Sequence, residues 1–223
     1  MELSLAKQEF VQSEIAQERA PGVPYDVRFR RLIGGAAWEG LPADVQRRFS
    51  KRVSGERVVI YPGAIRTARF SRAGWLFAHL ARVIGAPLPL SRDLHVPAAV
   101  SVSEDCVGGG QCWTRVYGRK NGFPQVIHSA KQFAGPTGLE EHIGCGIGMS
   151  LNVSAVEDGL EFVSDHYFIR VFGKQFRLPR WLEPGVTKVR HIDVGEGRFV
   201  FSLQLEHRIL GEMVYQEGEF HDA

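Results

Sequence analysis

RFVFSLQLEHR, residues 198–208, decides the fold. Phe199, Phe201, Leu203 and Leu205 alternate with Arg198, Ser202, Gln204 and Glu206. A period of two puts the first set on a dry face and the second on a wet one, which is a half-buried β-strand. Working outward, residues 111–220 read as strand after strand with turn residues between them. The predicted strands are Leu94–Val102, Cys112–Tyr117, Val126–Phe133, Leu139–Ile143, Ile147–Val156, Leu160–Phe172, Val186–Val194, Phe199–His207 and Glu212–Phe220. Asn121-Gly122 and Asp158-Gly159 tolerate positive φ and mark hairpins. Residues 173–185, with two prolines and Trp181, read as a long loop. So many antiparallel strands must twist, and the sheet must close or wrap around helices.

Helix signals are confined to the first 84 residues. Met1–Ala20 lacks Gly and Pro and reads as a weakly amphipathic helix, ended by Pro21, Gly22 and Pro24. Tyr25–Ile33 is a second candidate. Pro42 opens a third helix, in which Val45 and Phe49 share a buried face. Arg47, Arg48, Lys51 and Arg52 at its end read first as a solvated terminus and second as an anion site. Glu56–Tyr61 is a strand stopped by Pro62-Gly63, with Ile65–Phe70 as its hairpin partner. Trp75–Ile84 is the best helix, and its apolar stripe of Trp75, Leu76, Leu80 and Val83, with His79 beside it, is expected to face the core. The fold class is α+β: N-terminal helices and one internal helix packed on a strongly curved, mostly antiparallel β-sheet or partly closed barrel. Residues 1–22 form a helix or linker, and residues 23–223 one domain.

Composition narrows the function. A net charge of +2 over 223 residues gives no argument for nucleic acid or an anionic membrane, and no stretch is long and apolar enough to span a bilayer. No signal-peptide core is present, so a cytoplasmic location is expected. Three cysteines, Cys106, Cys112 and Cys145, include no Cys-x-x-Cys pair; buried reduced thiols are expected rather than a metal site. The Gly144–Gly148 run has a strand after it rather than a helix, against a nucleotide loop. No cofactor is implied. Asp165-His166 are adjacent and, like Glu140-Glu141-His142, are expected to split between the faces of a strand.

Two strands have mixed faces. Residues 160–172 mix polar and apolar groups on both sides. On Cys112–Tyr117, Trp113, Arg115 and Tyr117 project together. Such a row is either an external ladder, the favoured reading, or a pocket wall where Arg holds an anionic head group and the rings an apolar tail. A sheet that curls around more space than its side chains fill makes a ligand cavity.

FRRLIGGAAWEGLPADVQRRF (residues 29–49), CWTRVYGRK (112–120), GLEEHIG (138–144), GKQFRLPRWLEPG (173–185) and GRFVFSLQLEHRILGEMVYQEGEF (197–220) resemble, in order and spacing, the bacterial domain of unknown function 4166. That resemblance implies a module often fused behind a Rossmann-type or saccharopine-dehydrogenase-like reductase, and here either a stand-alone module or one with a separately encoded reductase as its partner. Family members often carry a His after the Leu-Pro helix, where this chain has Phe49 and Ser50. Family-like positions are Trp113, Arg115, Glu141, Trp181 and Tyr215. The leading expectation is a non-enzymatic binding module for a small apolar or amphipathic, lipid-like metabolite. Arg115 and Glu141 are its polar anchors, Trp113, Trp181 and Phe168 its walls, and Tyr215 a further ligand-binding candidate. The alternatives are an enzyme using a buried carboxylate or His as acid or base, and an accessory domain docking on a reductase.

Overall fold

The computed structural model describes residues 26–51, 53–55, 57–85 and 87–223. The predicted helix over residues 1–20 lies outside them. Among the described residues four short helices are present: α1 (Arg28–Ile33), α2 (Gly35–Glu39), α3 (Ala43–Phe49) and α4 (Arg72–Leu80), the last running into a 3-10 turn, Ala81–Ile84. Eleven strands follow or interleave: β1 (Val59–Phe70), β2 (Pro97–Asp105), β3 (Gly110–Tyr117), β4 (Gln125–Gln132), β5 (Glu140–Gly144), β6 (Ile147–Val156), β7 (Gly159–Val171), β8 (Lys174–Arg177), β9 (Val186–Gly195), β10 (Arg198–His207) and β11 (Gly211–His221). The expected α+β balance is corrected to a mostly β protein.

The sheet order is β6-β5-β4-β3-β2-β1-β11-β10-β9-β7-β8, and β6 also pairs with β7. Ten strands therefore form a closed antiparallel ring, and only β8 hangs outside it, on β7. Closure removes the free edges of an open sheet. The alternation at 198–207 does what period two demands: Phe199, Phe201, Leu203 and Leu205 face in.

β1 runs unbroken through Pro62-Gly63, against the predicted hairpin. The ladder with β11 begins only at Gly63, so Pro62 sits where β1 pairs with β2 alone, and a strand tolerates Pro where pairing is one-sided. Gly144–Gly148 is the tight β5–β6 turn, with Gly144, Cys145 and Gly146 all at positive φ.

One barrel end is plugged by helices. Phe29 of α1 is fully buried and meets the rings of Phe49, Phe133 and Phe162 edge-on at 5.1–6.1 Å. Val45 and Phe49 share the buried face of α3, as their spacing predicts. Arg48 does not sit in solvent: its guanidinium reaches Asp193 at 2.7 Å and Asp222 at 3.1 Å and lies over the Phe199 ring.

The other end carries α4. Gly74 packs so closely on β11 that a Cβ there would lie 1.8 Å from the Met213 carbonyl oxygen. At the far end of the segment, the Cys145 thiol approaches the Val83 carbonyl at 3.9 Å, and Gly144 abuts that of Ile84. β11 and β5 stand on opposite sides of the ring. A segment of two and a half helical turns plus a 3-10 turn, about 20 Å long, therefore lies across this end as a lid. Its orientation reverses the sequence expectation. Gly74, Ala78 and Ala81 are buried, whereas Trp75, Leu76, Leu80 and Val83 are exposed, Val83 at 83%. His79 meets the Trp75 ring edge-on rather than entering the core. Small residues face in because the helix backbone must approach the barrel rim. No helix among the described residues is long and apolar enough to cross a membrane.

Candidate functional site in the barrel interior

The Trp113, Arg115 and Tyr117 row points into the barrel, so the external ladder favoured from sequence is corrected. Register places their neighbours: Ser129 opposite Trp113, Lys131 opposite both Gln111 and Glu141, and Met149 beyond Glu141. Three charged side chains thus meet in the interior, each less than a tenth exposed. Lys131 Nζ donates to Glu141 Oε2 at 2.7 Å, Arg115 Nη2 lies 3.7 Å from Glu141 Oε1, and the same nitrogen donates to Ser129 Oγ at 2.7 Å. The Lys131 ammonium also faces the rings of Trp113 and Phe162, at 5.0 and 5.6 Å. Arg115 Nε is buried and has no hydrogen-bond partner among the described residues.

Two cations and one anion leave a surplus of positive charge in a low-dielectric interior. Burial alone would raise the Glu141 carboxyl, but Lys131 and Arg115 outweigh it and hold the group at about 2. Burial pulls the Lys131 ammonium below its ordinary value; Glu141 opposes that and Arg115 adds to it.

Beside the cluster, toward the plugged end, lies an apolar cavity of about 30 Å³ lined by Phe49, Tyr61, Val100, Trp113, Phe199 and Phe201, with Arg48, Lys51 and His191 also on its wall. A water needs roughly 10–15 Å³ by this measure, so the cavity holds about two. Burial, with Arg48 adding to it, pushes the His191 imidazole down to about 3, and its buried Nδ1 has no hydrogen-bond partner among the described residues.

Trp113, Arg115 and Glu141 therefore converge, and the other three sequence candidates lie elsewhere. Phe168 is buried on the outer face of β7, against His142 and Gly148. Trp181 is 79% exposed on the β8–β9 loop. Tyr215 lies on the outer wall, donating to Glu217 at 2.6 Å under the Arg69 guanidinium. Sequence reading missed Lys131. The available signal was its place in alternation with Ile127 and Ser129 on β4 and with Phe133 just beyond it, a charge on an otherwise inward face.

Two pairings set aside on strand geometry do form. His166 Nδ1 meets Asp165 Oδ2 at 2.7 Å, because a bulge at Ser150/Leu151 breaks the alternation of β7 there. Glu140 and His142, two apart, share the outer face at 3.3 Å, where Gln175 donates to Glu140 at 3.0 Å. The three cysteines are free, with Cys106 and Cys145 exposed rather than buried. No group of three or more His, Cys, Asp or Glu placed to hold a metal occurs among the described residues.

The cluster is better suited to holding an anion than to moving a proton. A general base works best with a pKa near the operating pH, and both Glu141 and His191 are pushed far below neutrality. The same shifts predict acid sensitivity. His191 binds its proton more weakly folded than unfolded, so its contribution is complete above the ordinary value of 6.5 and is lost as pH falls from there toward about 3. Glu141 adds a second loss below its ordinary value of 4.5, running toward about 2. Urea midpoints should hold above pH 7 and drop in two stages on acidification, and His191→Phe should flatten the first stage. A midpoint unchanged from pH 7 to 5 would contradict this.

The architecture defines a class: a closed antiparallel β-barrel with a lid, a helical plug and a cationic interior. Residues 41–220 match the family model described as Domain of unknown function (DUF4166), and the chain belongs to that family. No curated protein and no solved structure matches it.

Proposed function

We propose that the barrel binds a small amphipathic anion, a carboxylate or phosphate with an apolar tail. The head group sits on Arg115 and Lys131, and the tail runs along Trp113 and Phe201 into the cavity beside Phe199 and Tyr61. The observation that carries this reading is the buried cluster of two cations and one carboxylate, with Arg115 Nε left unpartnered. A buried donor without an acceptor costs free energy, and an anion supplies both the missing acceptor and the missing charge. Because the cavity as it stands holds about two waters, the tail is taken up only when the α1–α3 plug or the α4 lid shifts and the interior opens around it.

Native mass spectrometry with dodecanoate and dodecanol, matched in tail and different in head group, tests the reading. One dodecanoate per chain should be retained and dodecanol should not. Arg115→Gln, checked for folding by circular dichroism, should lose the dodecanoate. Equal retention of both probes, or of neither, would overturn the proposal.

A further inference from the structure

The exposed apolar side chains gather at the lidded end. β1 runs up to it and the ten strands of the ring alternate in direction, while the short β8 turns back along β7 and its loop leads into the start of β9 beside the β10–β11 turn, so this end is built by segments 71–96, 118–124, 144–146, 172–185 and 208–210. Phe123 is 91% exposed at the β3–β4 tip, and Phe172 is fully exposed at the β7–β8 tip. Trp181 and Leu182 stand out from the β8–β9 loop, and Ile209 and Leu210 from the β10–β11 turn. The lid adds the outward row of Trp75, Leu76, Leu80 and Val83. Every exposed Trp, Phe and Leu among the described residues lies here; the plugged end shows only Val58, Ile60, Val107 and Val194.

Charge is equally lopsided. These segments hold nine Lys or Arg and two Asp or Glu, a surplus of seven in a chain whose net charge is only +2. The small overall charge hides this separation. Arg72, Arg82 and Arg92 flank the lid, Arg119 and Lys120 the β3–β4 tip, and Lys174, Arg177, Arg180 and Arg208 the remaining loops. Among the described residues none of the nine forms an ion pair. The arginines of the outer wall do: Arg69 with Glu212, Arg190 with Glu161, and Arg198 with Glu219. An open groove of about 690 Å³ beside the lid brings Trp75 and Leu76 together with Arg72, Arg92 and Arg119.

We propose that this end docks on an anionic phospholipid surface. Bulky apolar groups at the tips of separate loops can each enter a deformable interface without needing one continuous complementary face. Trp suits the headgroup level, and unpaired Lys and Arg beside it are drawn to anionic lipid. The outer wall below the tips is laced with ion pairs, so contact stops at the rim. The lid then lies against the membrane, and an amphipathic ligand can pass between bilayer and barrel without crossing water. The docking itself does not depend on the interior site.

Flotation of the full chain with phosphatidylcholine vesicles, with and without phosphatidylglycerol, tests the docking. Binding should require phosphatidylglycerol and should fall with added salt. Phe172→Ser/Trp181→Ser and Arg119→Glu/Lys120→Glu, all exposed positions, should each reduce it about tenfold, while Arg115→Gln should leave it intact. The last result separates failure here from failure of the interior reading. Absence of binding at low salt, or binding unmoved by both double variants, would overturn the proposal. So would self-association in sedimentation that Phe172→Ser/Trp181→Ser abolishes without any vesicle binding, since that marks the end as a contact between copies.

Discussion

Glu141→Gln should cost about 3–5 kcal/mol of unfolding free energy, the penalty for stranding buried charge. The substitution nearly preserves shape, so packing is not the cause. It leaves Lys131 and Arg115 facing each other with no anion between them. Lys131→Met is the informative contrast. It removes the 2.7 Å ion pair yet leaves one cation, Arg115, opposite one carboxylate. Its cost should be less than half that of Glu141→Gln. Equal costs in urea denaturation would mean that the pair, and not the charge balance of the whole interior, sets the energetics. A bound anion should narrow the gap between Glu141→Gln and the parent, because it replaces the missing charge.

Phe29→Ala should be comparably damaging, at about 3–5 kcal/mol. The ring is fully buried where α1, α3, β7 and the end of β4 meet, and it touches three other phenylalanines. Collapse around the hole is restricted because the strands are held by the closed ladder. The void therefore adds to the room beside Phe49, one wall of the existing cavity. Variants that stay folded should take up small apolar probes such as benzene that the parent excludes. Phe123→Ala, at an exposed tip, should change stability little.

Strand content was legible because period two survives wherever one face is buried, as at 198–207. The row of Trp113, Arg115 and Tyr117 was legible as a row. Its direction was not, because a closed ring gives each strand a packed face whose polarity depends on what meets inside. Lys131, Glu141 and Arg115 lie on three strands, and only the registers of β3, β4 and β5 bring them together. The lid misled for a different reason. A stripe of Trp75, Leu76, Leu80 and Val83 normally seeks a core, and here the backbone contact of Gly74 with Met213 turns it to solvent. The bulge in β7 was invisible because it depends on the partner strand as much as on Asp165 itself.

The ring has a seam, and its position matters during synthesis. β1 gains its second neighbour only from β11, with Gly63 set against Phe220. Until those late residues emerge from the ribosome, one side of β1 stays open to any other nascent strand. Slow assembly follows from contacts so distant along the chain. Removing residues 214–223 would then cost more than the buried Val214 and Phe220 they carry, since it leaves the cylinder unable to shut.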